Sequence, residues 1–415
     1  MYVTVSGEGK YRVIQFKEET RVPGTKKKKS HVIKTIGNYE KMLSENPNII
    51  EELKAEAKRI TLEQKASKAP IILEVFSEEI EHENDAVKSY YFGHGLVLQL
   101  WKKLKLDAFF STQHGIREPQ QIMEAMIYLL SYRGGDPSSI WTGTNDQNLY
   151  AGISEMGLDK LNDTLEALDQ SKGALIKHLG KFFSKNTNRD TSNAYYDVTT
   201  YSFESTPWGE LGMFGFSKDS QNNEVQVVMG LLMDNHGIPI TYELFPGNTI
   251  DQKTLTPSIS RLKELYHLDV ITVVSDGGSN CGDNLGYFCD KGHEFNNRDT
   301  LKRFADKFKP MGWNEGHIRG HFALSFLALS MMKFAQHLLK ETEGISVSSA
   351  KLMEAIHDPE VVVHGSFPKV IVTPIKVSDI YLSLSKTLGM KLLKKNMTLT
   401  QFRASTKLDL GNNLK

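Results

Sequence analysis

Residues 193–203 read NAYYDVTTYSF, and one carboxylate in that run governs how the rest of the chain is read. Tyr195, Tyr196, Val198, Thr199, Thr200, Tyr201 and Phe203 are aromatic or β-branched, the residue types that fill strands. Asp is depleted from strand interiors because its short side chain competes for backbone hydrogen bonds. Asp197, in the middle of such a strand, therefore asks for a use of its charge.

Downstream, VQVVMGLLMD at 225–234, the turn Asn235-His236-Gly237 and IPITYELF at 238–245 read as a hairpin, with Gly237 supplying the positive φ. After PGNT, Asn248 or Thr249 is placed to cap a helix whose stripe is Leu255, Ile259, Leu262 and Leu265. VITVVSDGG at 270–278 is a short apolar run closed by Gly277 and Gly278, the pattern of a strand buried on both faces. Strand, strand, strand, helix, strand is the order of an α/β, ribonuclease-H-like mixed sheet flanked by helices. A right-handed crossover would lay the fourth strand parallel to the first, as its neighbour.

Asp197 and Asp276 would then meet, although 79 positions separate them (276 minus 197). Two close carboxylates repel unless a cation sits between them. Oxygen ligands suit Mg²⁺ or Mn²⁺, and a pair of such ions activates one oxygen and stabilises another in phosphoryl transfer. The plain reading of Asp276 alone is a turn or helix cap after a strand. Asp197 has fewer structural excuses.

The 415 residues suffice for two or three domains, with 40% hydrophobic and 24% charged residues as in ordinary globular protein. Cys281 and Cys289 are the two cysteines, too few for a disulfide framework, which points to a reducing interior. MYVTVSGEGKYRV has no apolar core of a signal peptide, and FALSFLALSMM at 322–332 is too short to span a bilayer, so a buried helix and no membrane are expected. Net charge is zero, but residues 1–40 hold nine Lys or Arg against four Glu, and residues 365–415 nine against two. Basic ends fit phosphate contact or merely solvated tails.

The chain divides on pattern into four parts. Residues 1–40 form a small β-rich unit, 41–190 a helical domain, 191–340 the sheet-bearing core, and 341–415 a helical and loop region whose packing the pattern leaves open. Cys281, Cys289, His293, His317 and His321 do not have the spacing of a structural zinc site. His317, Arg319 and His321 are expected on the polar face of a helix, and the tryptophans Trp101, Trp141, Trp208 and Trp313 in the core.

YYDVTTYSFES, LGMFGFSKDS, VVMGLLMDNHGIPITYELFPGNTID and VVSDGGSN together resemble the catalytic core of bacterial insertion-sequence transposases of the DDE type, named for two aspartates and a glutamate. GHIRGHFALSFLALS at 316–330 and the stretch around YFGHGLVLQLWKKLKL support the resemblance. It implies metal-dependent cleavage of DNA and strand transfer by a homo-oligomer on the terminal inverted repeats and target DNA, in the cytoplasm. By position, Asp197 and Asp276 would be its first two metal-binding carboxylates, with two Mg²⁺ or Mn²⁺ ions in an intact site.

The third carboxylate is not found. His321 follows Asp276 by only 45 positions (321 minus 276), which leaves no room for the β-rich insertion and the Glu-bearing helix of the family. Glu294 and Glu315 lack the family's flanking residues, and Gly278 stands where members tend to have Arg. The expectation is a transposase copy shortened after its second aspartate. The alternatives are a non-catalytic DNA-binding remnant and a ribonuclease-H-like nuclease without strand transfer.

Overall fold

The structure is a computed structural model. It describes residues 2–21, 28–68, 88–113, 118–135, 140–191, 193–203, 207, 209–215, 224–250, 253–266, 272–275, 294–297, 314–364 and 370–414. β1 (Tyr2–Ser6), β2 (Val13–Arg21), β3 (Lys28–Asn38), α1 (Tyr39–Glu45) and α2 (Ile49–Lys68) come first. β4 (Ser89–Tyr91) leads into α3 (His94–Lys103), α4 (Leu106–Ser111), α5 (Pro119–Gly135), α6 (Ile140–Asp146) and α7 (Leu158–Asn186). Then follow β5 (Asn193–Phe203), β6 (Met213–Phe214), β7 (Val225–Met233), β8 (Pro239–Pro246), α8 (Leu255–Tyr266), β9 (Thr272–Ser275) and β10 (Glu294–Asn297). The last elements are α9 (Glu315–Glu343), α10 (Ser349–His357), β11 (Glu360–His364), β12 (Ile371–Ile375), α11 (Asp379–Thr387), β13 (Met397–Thr398) and α12 (Leu399–Thr406).

β5, β7 and β8 pair antiparallel in succession, while β9 lies parallel to β5 on its other side and β10 parallel to β9. Across the sheet the order is β8, β7, β5, β9, β10, with two-residue β6 beside the end of β7. This is the ribonuclease-H-like order, with a fifth strand that the sequence pattern did not reveal. α8 begins at Leu255, so Asn248 and Thr249 do not cap it; the Thr249 N–H closes the turn after β8 on Pro246 O at 2.8 Å.

Side-chain alternation gives the sheet two covered faces. Ala194 and Tyr196 of β5 pack with Leu255, Ile259 and Leu262 of α8. On the opposite face Tyr201 meets Phe322 edge-on at 4.9 Å and Tyr242 meets Phe326 at 5.2 Å, both partners on α9. α9 is long and apolar enough to cross a membrane, and burial against α7 and this face explains its composition. Gly320 permits the α7 contact: a Cβ there would stand 1.9 Å from Leu165 O.

A buried ion pair ties the hairpin to the chain entering β5. Arg189 Nε donates to Asp234 Oδ2 at 2.6 Å, and both side chains are 0% exposed. The other Asp234 oxygen accepts the His236 and Ile238 N–H groups at 2.9 Å each, and Arg189 Nη2 reaches Pro239 O at 2.7 Å. Every charged atom is thus answered where water is excluded, and Gly237, at φ 72°, closes the turn.

The expected helical stretch contains a strand, β4, and its partner is distant in sequence. β4 pairs with β11, β11 with β12, and β12 with β13, all antiparallel. One continuous core runs from Tyr90 through α3, α5, α7, the sheet face and α9 to Leu410. Trp101 belongs to it and stacks on Phe110 at 5.4 Å, whereas the side chains of Trp141, Trp208 and Trp313 lie outside those described. β1, β2 and β3 form a separate antiparallel sheet whose Ile14 and Phe16 pack on Leu53 and Ala57 of α2.

Candidate active site

Asp197 sits mid-strand in β5 with β7 on one side and β9 on the other, its side chain half-buried. It shares a face with Tyr195 and Tyr201, the face that α9 covers. Its cross-strand neighbour is Leu231, and beyond Leu231 stands Tyr242. The antiparallel β7 ladder runs through Asp197, and the parallel β9 ladder holds β5 up to Tyr196, the residue before it, which gives the kind of rigidity that a ligand or catalytic carboxylate needs.

The parallel register pairs Tyr195 with Val274 and Tyr196 with Ser275. The pairing of first and fourth strands expected from the sequence is present, and its last described pair stops one residue short of both aspartates. Asp276 itself lies outside the described residues, as do Cys281, Cys289 and His293.

The helix over this face brings no third carboxylate. From Gly316 to Lys340, α9 contains no Asp or Glu. Glu315, at its first position, is engaged: Arg319 donates to Oε1 through Nε (2.9 Å) and Nη2 (2.6 Å), and the Glu210 N–H donates to Oε2 at 3.0 Å. Glu294 lies in β10, and its side chain is outside those described. Among the described residues no group of three His, Cys, Asp or Glu side chains is arranged to hold a metal ion.

The histidines of α9 are placed differently from the polar face expected. His321 is 2% exposed and packs beside Phe322, since its helical position falls on the stripe with Ile318. His317 forms a capping box with Asn314, which accepts from the His317 N–H at 2.8 Å. Arg319 is taken up by Glu315.

A charged cluster between α7, β8 and α9 escaped the sequence reading. Lys172 lies 4.2 Å over the Tyr242 ring and 3.6 Å from Glu243 Oε2. Burial lowers the Lys172 pKa, with Glu243 opposing, and burial raises that of Asp169, with Arg319 and Lys172 opposing. Lys172, Glu243 and Arg261 also line an open cavity of about 580 Å³ between α7, β8 and α8; Asp197 is not part of its wall. The three-residue spacing of Asp169 and Lys172 was the available signal.

No protein-family description matches this sequence. Nor does any curated protein. Among solved structures it is similar to the piggyBac transposase synaptic complex with hairpin DNA, at 8% identity and a TM-score of 0.36 over 78% of this chain and 83% of that one. It is also similar to the Mos1 mariner paired-end complex with Mn, at 12% identity and a TM-score of 0.23 over 77% of this chain and 97% of that one. The Mos1 paired-end complex with the left transposon end gives 10% identity and a TM-score of 0.18 over 58% and 71%. These likenesses are slight in both identity and TM-score, and the strand order described above stands without them.

Proposed function

We propose that the chain is a DNA-processing protein of the transposase type, descended from a metal-dependent cleavage and strand-transfer enzyme and working as a homo-oligomer on DNA ends. The observation that carries this reading is Asp197 at the centre of β5, beside a parallel β9 whose register ends at Tyr196 opposite Ser275. That arrangement is what a pair of carboxylates from the first and fourth strands requires, and Asp276 is the next residue of the chain.

Two carboxylates are a donor set that suits Mg²⁺ or Mn²⁺. Asp197 and Asp276 would hold the ion. When bound, it would lower the barrier by activating an attacking oxygen and offsetting charge on the phosphodiester. The chain's own part is positioning: the β7 ladder fixes Asp197, the β9 ladder fixes Tyr196 before it, and Phe322 and Phe326 on α9 shield the face beside it from water.

A second reading, a DNA-binding remnant without catalysis, is favoured by one specific observation. α9 carries no carboxylate from Gly316 to Lys340, and Glu315 is spent on Arg319 and Glu210. Incubating the full chain with supercoiled DNA in Mg²⁺ or Mn²⁺ separates the two. Nicking that disappears in Asp197→Asn, with the fold intact by circular dichroism, is the expected result of the first reading; salt-sensitive binding without nicking identifies the second. Joined DNA ends among the products would exclude a nuclease that only cuts.

A further inference from the structure

Six exposed lysines lie on α7 and at the corner between α3 and α4. Lys177, Lys181 and Lys185 recur at four-residue spacing on the outer side of α7, spanning about 12 Å at roughly 1.5 Å per residue. Lys102, Lys103 and Lys105 surround the corner between α3 and α4. A contact joins the two sets: His178 of α7 donates Nε2–H to Leu104 O at 2.8 Å, and its ring lies 4.9 Å from that of Phe109. None of the six lysines forms an ion pair with a described residue. Residues 170–189 contain no Asp or Glu, and Asp107 is the nearest acid to the corner in sequence.

Helix dipoles account for part of this pattern. Lys102, Lys103 and Lys185 stand in last turns, where a cation is favoured. Lys177 and Lys181 stand mid-helix. Lys105 stands between two helix ends: it follows Leu104, the C-cap of α3, where a left-handed residue and a cation are both favoured, and it is the N-cap of α4, where a cation is not, with a φ of 57° that Gly or Asn adopts at less cost.

We propose that this six-lysine face binds the phosphate backbone of duplex DNA, as a contact surface outside the carboxylate site. The proposal rests on the DNA-processing reading and adds where DNA is held. Duplex DNA carries one charge per about 1.7 Å of axis, so the α7 lysines alone overlie several phosphates. Contacts of this kind position DNA and read no sequence.

The test measures binding of the full chain to labelled duplexes of unrelated sequence by fluorescence anisotropy between 50 and 200 mM salt. The variants Lys177→Gln/Lys181→Gln/Lys185→Gln and Lys102→Gln/Lys103→Gln/Lys105→Gln should each flatten the slope of log affinity against log salt by about 2.7, three contacts at roughly 0.9 each. Over that fourfold salt range this is roughly a 40-fold smaller change in affinity, equal for all sequences. Lys105→Asn should hold or raise the melting temperature while weakening binding, which separates the phosphate role from a structural one. Unchanged slopes in both triple variants overturn the proposal. So would loss of binding to phosphatidylserine vesicles with DNA slopes unaltered, which would assign the face to a membrane. Asp197→Asn is expected to leave the slope intact, so absent nicking bears on the carboxylate reading and an unaltered slope on this one.

Discussion

Removing the Asp234 carboxylate should be the most damaging single change in the sheet. In Asp234→Ala the Arg189 guanidinium keeps its bonds to Pro239 O and Ile238 O but loses the Asp234 carboxylate in a site with no exposed side-chain surface. Breaking a buried pair in this way costs about 3–5 kcal/mol. The Ile238 N–H, also buried, loses its acceptor and adds roughly 1–3 kcal/mol, while the exposed His236 N–H finds water. A loss of about 5 kcal/mol results, against a total of about 5–15 kcal/mol for a typical domain. Asp234→Asn keeps one acceptor oxygen for the His236 and Ile238 N–H groups but turns an NH2 toward Arg189, and should cost less than the Ala variant, about 3 kcal/mol. Arg189→Met/Asp234→Leu should cost less than Asp234→Ala, because neither charge is then stranded. Urea titration by circular dichroism, with hydrogen exchange at the Ile238 amide as the local readout, measures all three. A cost below about 1.5 kcal/mol for Asp234→Ala, or a double variant no more stable than Asp234→Ala, would refute the reasoning.

Three further outcomes follow from particular atoms. His94 donates Nε2–H to Ala151 O at 3.0 Å, and burial lowers its pKa to about 4, with that hydrogen bond opposing. The native state therefore stays neutral while the unfolded chain takes up a proton, so stability present above pH 6.5 is lost as pH falls toward 4. The loss reaches about 3 kcal/mol and should be smaller in His94→Gln when urea midpoints at pH 7 and 4.5 are compared. Gly320→Ala drives a Cβ to within 1.9 Å of Leu165 O, and the displacement of α9 from α7 should cost about 2 kcal/mol, read as a melting temperature several degrees lower; a rise would contradict the close approach. The Tyr242 hydroxyl is buried with no hydrogen-bond partner among the described residues, so Tyr242→Phe should leave the urea midpoint unchanged or raised, and a loss above about 1 kcal/mol would reveal a partner.

The sheet was legible where its strands are long and consecutive. NAYYDVTTYSF, the hairpin around Asn235-His236-Gly237 and the strand before Asp276 carry their own pattern and turn chemistry, and chirality alone then pairs β5 with β9. β10 and β4 were not legible. Each has three or four residues, and its partner is a strand that no local period points to. The burial of His321 was hidden by its neighbours Arg319 and Gly320, which make the segment look polar until the stripe of Ile318, Phe322 and Phe326 is followed along α9. Asp197 was legible as a carboxylate out of place. The network of Asp169, Lys172, Glu243 and Arg319 was not, because it is assembled from three elements that only folding brings together.

The pairing of β4 with β11 also sets a timetable for synthesis. Tyr91 lies opposite Glu360, the first residue of β11, 269 positions later (360 minus 91). A ribosome adding roughly 5–20 residues per second needs about a quarter of a minute to a minute to supply that partner. Until then Tyr90 and Phe92, both destined for the interior, are without the β11 side of their packing. Nascent chains stalled between these points should be the species most dependent on chaperones.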